Sequence, residues 1–119
     1  MSKSKKSFGS VLRERRLAKG YSLRRFAELL EVSPTYLSHV EQEKIDSPPT
    51  ARFAFKAAEL LDENPDEMIA LAGRVPDDLP KIIRSEPEAM PELLRAAKGL
   101  TAEKLRELAE QAKRMRKQE

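Results

Sequence analysis

The stretch Leu23–Gln42, LRRFAELLEVSPTYLSHVEQ, decides how the rest of this chain is read. Phe26, Leu29 and Leu30 recur at helical spacing in its first half, and Leu37 and Val40 do so in its second, so each half has an apolar side. Between them stands Glu31-Val32-Ser33-Pro34. Ser33 can accept a backbone N–H at a helix start, and Pro34 suits the first helical position, where no N–H is needed. Two short helices joined by a tight turn are expected, the second covering residues 34–43. At about 100° per residue, Leu37, Val40 and Glu41 share one side of that helix, and Thr35, Ser38, His39 and Gln42 share the other. The second side is short, polar and rich in hydrogen-bonding groups. A helix propped from behind in this way can enter a DNA major groove and offer side chains to base edges. Taken alone, the same stripe also fits a solvated helix face.

The bulk numbers set the frame. A chain of 119 residues, 39% hydrophobic and 36% charged, supports one compact domain plus an extension. It has no cysteine and one histidine, which excludes disulfides and thiolate sites and leaves little for a histidine metal cluster, and no cofactor is expected. No apolar run approaches the ~20 residues a bilayer requires, and no secretory signal is apparent, so a cytoplasmic protein is expected. Charge is segregated: Met1 to Arg25 holds nine basic residues against Glu14 alone, and the remainder holds 14 basic and 19 acidic residues. A basic end on an otherwise acidic chain suits a polyanionic partner, although a tail such as SKSKK also serves solubility alone.

In chain order, residues 1–7 read as a flexible basic arm. A first helix follows, with Phe8, Leu12 and Arg16 in line at intervals of four, Val11 and Leu17 beside them, and Gly20 to stop it. An arginine on the core side needs a carboxylate, and Glu41, on the apolar side of the later helix, is the candidate. Ser22 caps the second helix and Thr50 a fourth, whose face is Phe53, Ala54, Ala57, Ala58 and Leu61. Asn64-Pro65-Asp66-Glu67 opens a fifth, closed by Gly73.

Arg16-x-x-x-Gly20-Tyr21-Ser22, Phe26-Ala27, Leu30, Val32-Ser33-Pro34, Tyr36-Leu37-Ser38 and Val40-Glu41 together resemble the five-helix DNA-binding domain of phage-repressor-like, xenobiotic-response-element type transcriptional regulators. The resemblance spans residues 8–73 and implies an all-α, repressor-like helix-turn-helix domain that binds double-stranded DNA. It implies base contacts from Pro34, Thr35, Ser38 and His39, and phosphate contacts from Arg24, Tyr36, Gln42 and Lys44. Tyr36 also suits half-buried packing against the turn. Arg16 and Glu41 are implied to form a partly buried ion pair between the first and third helices. Two features depart from the family. Glycine is common where Glu31 and Glu43 stand, and a phosphate-holding glutamine is common at Leu23, leaving Arg24 as its substitute.

Residues 74–119 form a helical extension. Pro76, Pro80, Pro87 and Pro91 keep its first helices short, while Ile82, Ile83, Met90, Leu93 and Leu94 are too apolar for a free linker. Thr101 caps a last helix in which Leu105, Leu108, Ala112 and Met115 alternate spacings of three and four, a coiled-coil stripe. A dimerisation element is expected there, with folding back onto its own domain as the competing reading. The chain is accordingly read as a homodimeric repressor, with an antitoxin-like module that binds a protein partner through residues 74–119 as the alternative. No nucleophile-and-base constellation suggests an enzyme.

Overall fold

Five short helices carry the core, and each begins on a side chain that satisfies the free N–H of its third residue. In the computed structural model, which describes residues 6–118, these are α1 (Phe8–Ala18), α2 (Leu23–Leu30), α3 (Pro34–Glu41), α4 (Ala51–Leu61) and α5 (Pro65–Leu71). Ser7, Ser22, Ser33, Thr50 and Asn64 accept from the backbone N–H of Ser10, Arg25, Tyr36, Phe53 and Glu67 at 3.0–3.2 Å. Ser7 was assigned to the basic arm by sequence; here it caps α1. Lys6 of the same arm pairs with Glu14, its Nζ 2.9 Å from Oε2, and residues 1–5 lie outside the described residues.

The helices also end alike. In each, the N–H two residues past the last turn bonds back five residues: Tyr21 to Arg16, Val32 to Ala27, Lys44 to His39, Glu63 to Ala58 and Arg74 to Ile69, at 2.8–3.1 Å. This closure needs a left-handed residue just before the donor. Gly20 serves α1 at φ 81°, but Glu31, Glu43 and Asp62 hold φ values of 60°, 59° and 57° after α2, α3 and α4. The left-handed Glu43 corrects one expectation: α3 stops at Glu41, with Gln42 as its cap, instead of running to residue 43.

A carboxylate residue in this conformation carries a steric cost of roughly 1–2 kcal/mol that glycine avoids, partly offset by the greater freedom glycine has when unfolded. Glu43→Gly is therefore expected to raise stability by about 0.5–1 kcal/mol in urea denaturation, and a lower midpoint would contradict this. Glu31→Gly should gain less, because it also removes an ion pair with Lys56 on α4. The hydrogen bond and charge of Lys56 hold the Glu31 carboxyl below its ordinary range, so this link persists at neutral pH and is lost as pH falls through that lowered value.

Phe26, Leu12, Leu37 and Val40 are the largest fully buried side chains, joined by Leu30, Leu61, Met68, Ile69 and the alanines of α4. Ala54, Ala57 and Ala58 are wholly buried and let α5 and α1 approach α4 closely. Leu17, grouped by sequence with the core face of α1, is instead 54% exposed, because at about 100° per residue it stands opposite Phe8 on the helix, off the line of Phe8, Leu12 and Arg16.

The chain divides into two units, Met1–Leu79 and Pro80–Glu119. The second holds most of α6 (Leu79–Ser85), α7 (Ala89–Ala97) and α8 (Ala102–Lys117), the last capped by Thr101, which accepts from the N–H of Lys104 at 3.2 Å. None of these three helices contains a buried residue. Among the described residues there is no strand, and no helix is long and apolar enough to cross a membrane.

Candidate nucleic-acid interface

α3 has two unlike sides, and the packing of the first unit determines which one faces solvent. Leu37, Val40 and Glu41 are buried, while Pro34, Thr35 and His39 are exposed. Ser38 is half-exposed, and its Oγ accepts from the Gln42 side-chain amide at 3.0 Å, so the second and fourth residues of the outward stripe brace each other. The short α2–α3 turn, fixed by left-handed Glu31 and the Ser33 cap, sets the angle between the two helices.

Behind α3 stands an ion pair with little access to water. The Arg16 Nε donates to Glu41 Oε2 at 2.7 Å and its Nη2 donates to Oε1 at 3.0 Å, while Nη1 donates to the Tyr21 carbonyl at 3.0 Å. The two side chains are only 8% and 4% exposed. A forked guanidinium satisfies both carboxylate oxygens at once, so the pair fixes the orientation of α3 on α1 as well as its distance.

Arg24, Gln42 and Lys44 are exposed, Arg24 in the first turn of α2 and the other two just past α3. Tyr36 is 36% exposed, and its ring meets Phe53 of α4 edge-on, with centroids 5.9 Å apart. The ring is thus anchored on α4, whereas the sequence suggested packing against the turn or a reach to phosphate. Leu105, Leu108, Ala112 and Met115 are all exposed on α8 in the separate second unit.

Two contributors escaped the sequence reading. Gly9 lies where α1 crosses the end of α3: a Cβ added there would stand 2.3 Å from the Val40 carbonyl oxygen and 2.8 Å from that of Glu41. Arg74 reaches back to the α3–α4 loop, donating through Nε to the Pro49 carbonyl at 2.9 Å and through Nη2 to the Pro48 carbonyl at 2.7 Å. That loop carries Lys44, and neither proline has an N–H with which to tie it down. The only advance signal was the presence of a glycine inside a helix and a cation after its last turn, which names no partner for either.

A bihelical reading unit backed by three supporting helices defines a helix-turn-helix protein. Residues 12–68 match the helix-turn-helix family model. SinR of Bacillus subtilis, a master regulator of biofilm formation solved in complex with DNA, is 31% identical over 51% of this chain and 95% of its own, with a TM-score of 0.46. ClgR of Corynebacterium glutamicum, a clp gene regulator, is 29% identical over 56% of this chain and 83% of its own, with a TM-score of 0.46. YmfM of Staphylococcus aureus is 25% identical over 60% and 93% respectively, with a TM-score of 0.50. No curated protein matches this chain. The chain belongs to the xenobiotic-response-element, phage-repressor-like helix-turn-helix family, a family of DNA-binding transcriptional regulators.

Proposed function

We propose that this chain is a sequence-specific regulator that binds double-stranded DNA in the cytoplasm as a homodimer and represses transcription by occupying promoter DNA. The observation that carries this reading is the division of α3, whose inward side is buried and pinned by Arg16 while Thr35 and His39 stand free. In the groove, Thr35, Ser38 and His39 hydrogen-bond to base edges and Pro34 offers an apolar surface to a thymine methyl. Arg24, Tyr36, Gln42 and Lys44 hold phosphates, which positions the helix without reading sequence. Pairing two such modules on adjacent half-sites raises affinity through effective concentration. No catalytic step and no cofactor are proposed.

A salt titration of duplex binding tests this division of labour. Arg24→Gln and Lys44→Gln should each lower the log–log salt slope by about 0.9 and weaken all sequences alike. A wild-type chain that leaves duplex DNA unbound at low salt would sink the reading. The second reading, a protein-partner module of antitoxin type, draws on the second unit, in which Ile82, Leu93, Leu94 and Leu100 are 39–55% exposed.

A further inference from the structure

α8 is exposed along its whole length, and its two companion helices bury nothing either. A unit this small has too little interior to be stable unless its apolar side chains are covered. On α8 those side chains form one stripe, Leu105, Leu108, Ala112 and Met115, of which the leucines and methionine are 43%, 37% and 67% exposed.

We propose that a second copy of α8 covers this stripe running antiparallel, with Leu105 against the partner's Met115 and Leu108 against the partner's Ala112. The proposal rests on the homodimer reading above and adds a direction and a register to it. A two-fold dimer requires a surface complementary to itself, and α8 has that property in one direction only.

Side-chain size supplies the first argument. Parallel, in-register pairing would set Ala112 against the partner's Ala112, leaving a layer of two methyl groups between layers of leucine and methionine. Close packing leaves no room for such a gap, and facing positions in well-packed helices alternate large with small. Reversing one helix places Leu108 over the small Ala112 in both central layers and Leu105 beside methionine in both outer ones.

Charge supplies the second. The first nine residues of α8 carry Glu103, Glu107 and Glu110 with Lys104 and Arg106, whereas its end carries Lys113, Arg114, Arg116 and Lys117. Only Lys113 of those four has an ion-pair partner among the described residues, Glu110 at 3.1 Å. Parallel pairing stacks the cationic end on itself, well within the ~8–10 Å over which salt leaves such repulsion unscreened. Antiparallel pairing sets it beside the half that holds the carboxylates and opposes the two helix dipoles. The positions flanking the stripe, including Ala102, Ala109 and Gln111, are indifferent to direction, so size and end charge decide.

The chain has no cysteine, which makes the test direct. Leu108→Cys and Ala112→Cys are prepared separately in the full chain, one with a tag that shifts its gel mobility, then mixed, allowed to exchange subunits and oxidised. The expected product is a covalent dimer of mixed composition, while each variant alone stays largely uncross-linked, because a disulfide needs Cα atoms within about 7 Å. Leu105→Cys with Met115→Cys should repeat the pattern, which guards against one substitution weakening the dimer. Ala112→Cys cross-linking to itself as readily as the mixture does would overturn the direction, as would a dimer in which neither mixed pair cross-links. Sedimentation of the wild-type chain separates the two levels: a monomer overturns the homodimer reading together with this one, and a dimer with the wrong cross-links overturns this one alone.

Discussion

Arg16→Met is expected to cost about 3–5 kcal/mol of stability, because it leaves the Glu41 carboxylate without a partner in a place water hardly reaches. The Tyr21 carbonyl loses a donor in the same step. The arithmetic changes if both charges go. Arg16→Met combined with Glu41→Leu exchanges a desolvated pair for apolar contact, and the double variant should recover most of the loss. Arg16→Lys should fall between, since an ammonium cannot satisfy two carboxylate oxygens with a planar fork. Urea denaturation of the four proteins measures this. An Arg16→Met variant with the wild-type midpoint would mean that the pair contributes nothing net, and α3 would then owe its orientation to Leu37 and Val40 alone.

The second large effect is expected at Gly9. Helix propensity favours alanine over glycine by roughly 1 kcal/mol, so an exposed Gly9→Ala change would stabilise α1. Here the added methyl would press on two backbone carbonyls of α3, and backbone cannot swing aside as a side chain does. Gly9→Ala is expected to lower stability by about 1–3 kcal/mol, and Gly9→Val by more. Because the clash falls on Val40 and Glu41, it also moves the outward side of α3, so DNA affinity should drop even where the protein remains folded. Unchanged stability in Gly9→Ala would show that α1 and α3 separate easily, against the tight crossing described here.

Local signals account for what could be read in advance. Ser22, Ser33, Thr50, Asn64 and Thr101 each precede an apolar-periodic run, and each accepts the expected backbone N–H. The two sides of α3 follow from helical angles, and a core-side arginine called for a carboxylate that Glu41 supplies. Other features depended on distant residues. Nothing near Gly9 in sequence says that α3 ends against it, and nothing near Arg74 names Pro48 and Pro49. Leu17 is apolar but stands about 100° round α1 from Arg16, off the buried line, and is exposed. Glu43 reads as a good helix former, and the length of α3 was overestimated because the residue adopts the conformation usually left to glycine. The stripe on α8 is legible as a pattern, whereas the absence of any buried residue on that helix follows only from the structure of the second unit.

On the function proposed above, the outward residues of α3 read bases. Selection of preferred sequences from random duplex DNA, carried out with the wild-type chain, Thr35→Ala and His39→Ala, tests it most directly. The wild type is expected to enrich a defined motif and each variant to lose preference at one or two positions of it, keeping the rest, with a discrimination loss of about 1–3 kcal/mol per affected contact. Variants that enrich the same motif as the wild type, position for position, would contradict it.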